Sequence, residues 1–308
     1  MKLINIFTGL LLVISISVNA ADDQALKLKK VATNAWAIVG PLTNRTAENL
    51  GNNANFGFIV TKEGVVLIDA GGSYQGAKRI HQIIQSVTKQ PVKFVINSGG
   101  QDHRWFGNDY FSHLGAKIIS SAAAKKDHQA RSAAQWTMLS NLIGNKGIAG
   151  TKEKFADITF KSDYKFTLGE VTFEIYHKGP AHTPGDAYIW LPQSKVMFTG
   201  DIVYTERMLG IIEVSNSRSW LNVFDAMAAH KPDYVVPGHG YPTTLAVATK
   251  DTRDYLAFLR KTIAAFIEQG GGAHEISRIN QSRFQYLANY DTLHGRNALK
   301  VYTELEWE

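Results

Sequence analysis

The sequence predicts an α/β protein with a helical C-terminal part. Short runs of β-branched and aromatic residues alternate with segments whose apolar residues recur every three or four positions. Several of the short runs end at a Gly beside an Asp or a His. The 308 residues are 44% hydrophobic and 19% charged, which excludes a disordered chain and suffices for one large domain or two small ones.

The N-terminal residues are typical of a signal peptide. Lys2 supplies a positive start, residues 3–18 are almost entirely apolar, and small residues precede the bond after Ala20. This apolar run is shorter than the roughly 20 residues that span a bilayer. The sequence therefore predicts cleavage after Ala20, a periplasmic or secreted protein, and no membrane contact after cleavage.

The strands and helices are predicted in a regular order after the signal peptide. Strand-like runs cover residues 34–39, 55–61, 65–69, 92–96, 164–168, 171–176, 187–191, 196–199 and 234–236. Helical spacing appears at Ile80, Ile83, Ile84 and Val87 and again over residues 220–229. After Thr243 the composition changes to a helical stripe over 255–267, and two further helical stretches follow.

Composition limits the chemistry that the protein can perform. The chain has no Cys, which excludes disulfides, Cys-based zinc sites and a thiolate nucleophile, and leaves ten His as candidates. The formal net charge is +6, but the basic residues are scattered and form no basic helix or stripe. We therefore expect a small-molecule substrate and no nucleic-acid partner; the sequence does not indicate an oligomeric state.

Acidic residues and histidines stand next to glycine at the ends of predicted strands. These positions are Asp69, the pair Asp102 and His103, Asp201 and His239, with His182 in a loop between strands. A single Asp after a strand is more often a turn residue than a ligand. The joint pattern, with Asp201 nineteen residues after His182 and His239 thirty-eight further on, indicates a metal site instead. Nitrogen and oxygen donors favour Zn²⁺, with Fe or Mn as alternatives.

Four segments together resemble the metallo-β-lactamase superfamily. They are Ile68-Asp69-Ala-Gly, Gly-Pro-Ala-His182-Thr-Pro-Gly-Asp186, Met-Phe-Thr-Gly-Asp201 and Val-Pro-Gly-His239-Gly. The resemblance implies a four-layer αβ/βα sandwich over residues 21–243, with 244–308 as a helical C-terminal extension of the same domain. It also implies that His182, Asp201 and His239 bind metal, with Asp201 bridging two ions in two-metal members.

The sequence departs from the superfamily at its H-x-H-x-D-H motif, where it has Asn97-Ser-Gly-Gly-Gln-Asp-His-Arg104. Without gaps, Gly99 and Gln101 replace the first two His, His103 replaces the Asp, and Arg104 replaces the last His. A shift of one residue keeps Asp102 and His103 as the Asp-His pair and leaves Ser98 and Gly100 at the first two His. Both registers remove two of the three ligands of the first metal site.

The residues and the resemblance together predict an exported metal-dependent hydrolase with one zinc ion. The expected ligands are Asp102, His103, His182, Asp201 and His239. An ester, thioester, lactam or similar small substrate would be attacked by activated water, with whichever of Asp102 or Asp201 is not firmly ligated as general base. Asp69 is expected to orient a ligand His, and Arg104 to hold a substrate group. The alternative is a periplasmic binding or accessory protein that keeps the fold without catalysis.

Overall fold

The computed structural model describes residues 25–308, so the predicted signal peptide lies outside the described residues. Its first sheet has seven strands in the order of the chain. They are β1 (Lys27–Ala32), β2 (Ala35–Val39), β3 (Phe56–Thr61), β4 (Gly64–Ile68), β5 (Val92–Ile96), β6 (Lys117–Ser121) and β7 (Ile158–Phe160). The first four strands pair antiparallel, and the sheet continues with parallel pairs from β4 to β7.

The second sheet has five strands and is also mixed. They are β8 (Asp163–Leu168), β9 (Val171–Tyr176), β10 (Tyr188–Leu191), β11 (Val196–Phe198) and β12 (Tyr234–Val236). The pairs from β8 to β11 are antiparallel, whereas β11 and β12 are parallel.

Helices cover the outer face of each sheet. They are α1 (Tyr74–Val87), α2 (Asp102–Trp105), α3 (Asn108–His113), α4 (Ala122–Ile148), α5 (Ser217–Ala228), α6 (Leu245–Ala248), α7 (Asp254–Glu268) and α8 (Tyr290–Glu306). Ser73 caps α1 by accepting a hydrogen bond from Gly76 N, and the α1 stripe buries Ile80 and Ile84 against the first sheet. None of the described helices is both long and apolar enough to cross a membrane.

Three apolar clusters hold the layers together. Ile59 and Ile96 of the first sheet pack against Phe173 and Ile189 of the second in the central cluster. The outer cluster of the first sheet lies beneath α1 and α3. The outer cluster of the second sheet contains Trp220 of α5 together with residues of α7 and α8. This is the predicted four-layer αβ/βα sandwich with a helical C-terminal part.

Most predicted strands agree with the structure to within one residue, but several elements were missed. They include β1, β6, β7 and the 27-residue α4. β1 is a Lys-rich edge strand with an exposed face, so it lacks an apolar run. α4 buries polar residues, including Asp127, His128 and Gln135, along the face that contacts the protein. An apolar periodicity therefore could not find it.

Candidate metal centre

Strand ends bring the predicted site residues to one edge of the sandwich. Asp69 follows β4, the turn of α2 that contains His103 follows β5, Asp201 follows β11, and His239 follows β12. His182 lies in the loop that joins β9 to β10. All five side chains are buried. The scaffold thus holds side chains from distant parts of the sequence in one cluster.

Three of these residues could share one metal ion. His103 Nε2 lies 3.1 Å from Asp201 Oδ2, and His239 Nε2 lies 3.3 Å from Asp201 Oδ1. One donor atom from each of the three residues lies within 4.8 Å of the other two. Burial lowers the pKa of His103 well below its usual value and that of His239 to about 3, so both rings are neutral at pH 7.

Arg104 is fully buried against the same cluster. Its Nε and Nη2 donate to the two oxygens of Asp201 at 3.1 and 2.6 Å, and its Nη1 donates to Asp69 Oδ2 at 2.9 Å. Burial alone would raise the pKa of Asp201, but Arg104 and His103 outweigh burial and hold it well below its usual range. Arg104 is therefore a fixed cation that neutralises two buried carboxylates.

Asp69 ties the β4 end to the neighbouring loop. It has a φ of +64°, in the left-handed region that only a few non-Gly residues adopt. Its carboxylate accepts hydrogen bonds from Ser98 N and Ser98 Oγ, both at 2.7 Å, as well as from Arg104. Asp69 thus orients Ser98 and Arg104, whereas the sequence predicted that it would orient a histidine.

His239 is fixed on two sides. Arg207 Nη1 donates to His239 Nδ1 at 3.0 Å, and the Tyr204 ring stacks on the imidazole with 4.7 Å between centroids. With Nδ1 accepting, the ring carries its proton on Nε2, which points at Asp201. A metal ion bound at Nε2 would move the proton to Nδ1, so Arg207 would have to turn away from the ring.

Helix α4 holds the loop that precedes His103. His128 Nε2 donates to Gly99 O at 3.0 Å, and Gln135 Nε2 donates to Gly100 O at 2.8 Å. A Cβ on Gly99 would clash with Asp186 Oδ1, and a Cβ on Gly100 would clash with Asp127 Oδ2. A side chain at either position would therefore have to displace one of these carboxylates. No motif in the sequence pointed to these α4 residues.

A cavity of about 380 Å³ opens onto the cluster. His103, His182 and His239 contribute to its wall together with Gln101 and Tyr204. The remaining wall residues come from the N-terminal loop, α4, the loop after Arg207 and α8, and are Asn44, Arg45, Asn53, Met138, Leu142, Arg207, Gly210, Ile211, Ile212, Asn289, Thr292, Leu293, Arg296 and Asn297. A small molecule can therefore reach the three histidines.

A family model described as the metallo-beta-lactamase superfamily matches residues 50–239, more than half of the chain. The chain belongs to this superfamily. A metallo-beta-lactamase type 2 of Elizabethkingia meningoseptica is 26% identical over 222 residues, which cover 71% of this chain and 80% of the relative. Superfamily members are mostly hydrolases and typically bind metal ions, often zinc.

Solved structures of the superfamily share the fold. A metallo-beta-lactamase from Pontibacter korlensis has a TM-score of 0.61 at 22% identity and covers 75% of this chain and 99% of its own. A stereoselective inverting sec-alkylsulfatase from Pseudomonas sp. has a TM-score of 0.70 at 19% identity. It covers 90% of this chain, which matches half of its length. The predicted family and fold class are confirmed.

The contacts of the loop after β5 fit the ungapped register of the superfamily motif. Gln101 Oε1 lies 3.0 Å from His182 Nε2, so Gln101 takes the place of the second His beside a ligand of the first metal site. His103 contacts Asp201 at the position of the motif Asp, and Arg104 contacts Asp201 at the position of the last His. Gly99 stands at the position of the first His and has no side chain that could bind a metal ion. Of the residues that the resemblance assigns to the first metal site, His182 alone is present.

Asp102 lies outside the three-residue group. Arg45 Nε and Nη2 donate to its Oδ1 at 2.8 and 2.6 Å, so this carboxylate holds an arginine of the cavity wall. The same Oδ1 lies 3.6 Å from His103 Nδ1. Its role as a ligand or base stays a prediction, as does the ligand role of His182, whose Nδ1 donates to Gly210 O at 2.9 Å.

The donors present suit one metal ion and not two. His103 Nδ1 and Asp102 Oδ2 are both buried without a hydrogen-bond partner. A metal ion on His103 Nε2 would fix the proton on Nδ1, where Asp102 can accept it. A second ion would need the Asp201 lone pairs that Arg104 occupies, and the guanidinium would repel it. Arg104 thus takes the electrostatic place of a second cation.

Proposed function

We propose that this superfamily member hydrolyses small molecules with the help of one bound metal ion. Zinc is the expected ion, and Fe or Mn are the alternatives. The observation that carries the proposal is the buried group of His103, Asp201 and His239 at a cavity that a small molecule can enter. An ester, thioester, lactam or similar bond is the proposed target. The superfamily's hydrolases support this reaction class.

Different residues of the chain have different roles in the proposed reaction. A divalent ion on the three ligands would polarise the scissile bond and make a neighbouring water more acidic. Arg104 keeps Asp201 ionised and oriented, and Asp102 is placed to hold His103. His182 contacts Gly210 O through Nδ1 and Gln101 Oε1 through Nε2, which fixes its ring at the cavity wall. We assign proton transfer with the water to whichever of Asp102 or Asp201 the ion does not hold firmly.

Hydrolysis of a substrate panel tests the proposal. Purified protein is assayed on nitrophenyl esters, acyl thioesters and lactams, then after treatment with a chelator, and again after Zn²⁺ is restored. We expect turnover of at least one class, its loss on chelation and its recovery with zinc. Turnover that survives complete metal removal contradicts the metal role. Binding of panel compounds by the metal-loaded protein without any turnover would favour the non-catalytic accessory protein.

We also propose that the protein is exported, on the strength of residues 1–20. Mass spectrometry of the intact protein recovered from the periplasm or the medium tests this proposal. A mature chain that begins at Ala21 is expected. Recovery of the full-length chain from the cytoplasm alone would contradict export.

A further inference from the structure

A five-residue π-helical turn, Thr249–Arg253, lies between α6 and α7. Such turns are rare, and inside longer helices they are frequently found at functional sites. Asp251 and Thr252, two consecutive residues of this turn, are both buried. Their side chains bind the segment 204–206, which follows the proposed metal ligand Asp201 in the sequence. The turn therefore contacts a segment of the chain close to the metal centre.

Thr252 binds both backbone polar groups of Tyr204. Its Oγ1 accepts a hydrogen bond from Tyr204 N at 2.9 Å and donates one to Tyr204 O at 2.6 Å. A hydroxyl group can form both bonds because it carries one donor and two acceptor lone pairs. The neighbouring Asp251 accepts a hydrogen bond from Glu206 N at 3.0 Å. The π-helical turn thus holds the segment 204–206 from one side.

The chain around His239 holds the same segment from the other side. Gly238 N donates to Val203 O at 2.8 Å. Thr205 N donates to His239 O at 3.0 Å. These two bonds form a short parallel bridge between Tyr204 and His239. The polar groups of Tyr204 itself are bound by the π-helical turn, so the segment lies between this turn and His239.

The Tyr204 ring extends this contact to the imidazole of His239. The two rings are nearly parallel, at 17°, with 4.7 Å between their centroids. Tyr204 is buried, so loss of the Thr252 hydroxyl would leave one N–H and one C=O of its backbone without partners. The segment could avoid this cost only by moving, and the ring would move with it.

We propose that Thr252 is a positioning residue of the metal centre, which keeps the Tyr204 ring against His239 and so limits rotation of the imidazole. As a statement about metal binding, this rests on the proposed function. The contacts that lead from Thr252 through Tyr204 to His239 do not themselves depend on an ion.

Competition with a chromophoric chelator measures the consequence for metal affinity. Thr252→Val keeps the shape of the side chain but removes its hydroxyl, and should lower the affinity for Zn²⁺ 10- to 100-fold, as for other residues that orient a ligand. Thr252→Ser keeps the hydroxyl and should retain most of the affinity. The control is Thr249→Val in the same turn. Its hydroxyl donates to Leu245 O within the helix, so its loss should leave the affinity unchanged.

A double-mutant cycle with Tyr204→Leu tests whether Thr252 acts through Tyr204. Tyr204→Leu alone should weaken zinc binding, and Thr252→Val should weaken it no further in that background. Additive losses would show that the two residues act independently and overturn the proposal, as would wild-type affinity in folded Thr252→Val protein. If Thr252→Val does not fold, Tyr204→Leu decides, because wild-type zinc affinity in this variant also overturns the proposal.

The proton NMR signals of the His239 ring test the same contacts in metal-free protein. The signals are assigned by their absence in His239→Gln. They should lie upfield of the usual histidine range, because protons above the face of an aromatic ring are shielded. Thr252→Val should move them back towards that range, whereas Thr252→Ser and Thr249→Val should leave them in place. Unchanged signals in Thr252→Val protein overturn the proposal.

The outcomes for positioning and for hydrolysis can be told apart. If the NMR signals of the Thr252→Val protein move but the wild type binds no zinc, the contact to His239 is retained and the proposed metal function is refuted. If the wild type shows zinc-dependent hydrolysis and the signals of Thr252→Val do not move, the function is retained and the positioning role of Thr252 is refuted.

Discussion

Replacement of Arg104 by leucine is expected to lower the free energy of unfolding by about 3–5 kcal/mol. The substitution leaves the carboxylates of Asp69 and Asp201 buried without the cation that both now contact. The cost comes from these uncompensated charges and exceeds that of the lost contacts themselves. Urea denaturation followed by circular dichroism measures it, in the presence of a chelator so that no metal ion replaces the guanidinium.

A matched surface pair supplies the control for this substitution. Arg253 binds Asp225 through its Nε and Nη2, in the same way that Arg104 binds Asp201, but its side chain is 38% exposed and that of Asp225 is 49% exposed. Arg253→Leu is therefore expected to cost less than about 1 kcal/mol. Equal costs for the two substitutions would mean that Arg104 does not neutralise the buried carboxylates.

Replacement of His103 by alanine is expected to remove the metal ion and with it hydrolysis. His103 is one of only three proposed ligands, so we expect metal affinity to fall by more than the 10- to 100-fold seen for residues that only orient a ligand. When the concentration of metal ions limits activity, hydrolytic turnover should fall by about the same factor. Competition with a chromophoric chelator measures affinity independently of catalysis.

The exposed His113 provides the control for His103. Its side chain on α3 is 65% exposed and contacts the nearby Asp109, so His113→Ala should keep the metal affinity and the turnover of the wild type. A His103→Ala protein that binds metal as tightly as His113→Ala would show that the ion lies elsewhere, for instance on His182.

Sequence patterns found the strand ends of the site because glycine beside Asp or His is a local signal. Asp69, Asp201 and His239 each follow a strand, and the structure brings them to one edge. The register of the loop after β5 could not be decided in the same way. The register is decided by contacts between residues that are far apart in the sequence. These contacts join Gln101 to His182 and Arg104 to Asp201.

The role of Asp102, as ligand or as base, could not be decided from the sequence for the same reason. An Asp beside a His suggests a ligand, but the partner that engages the carboxylate is Arg45, 57 residues earlier. The contact of Arg207 with the site could likewise not be recognised from the sequence, because a single Arg forms no motif. Its contact with His239, and its lack of an ion pair among the described residues, are visible only in the folded chain. Long-range charge pairing of this kind is set by the fold.

The count of metal ions per chain tests the central claim most directly. Elemental analysis of protein equilibrated with excess Zn²⁺ and then freed of loosely held ions should give one ion per chain, since Arg104 blocks a second position and His103, Asp201 and His239 provide the first. Two tightly bound ions per chain, or none, would contradict this account of the site.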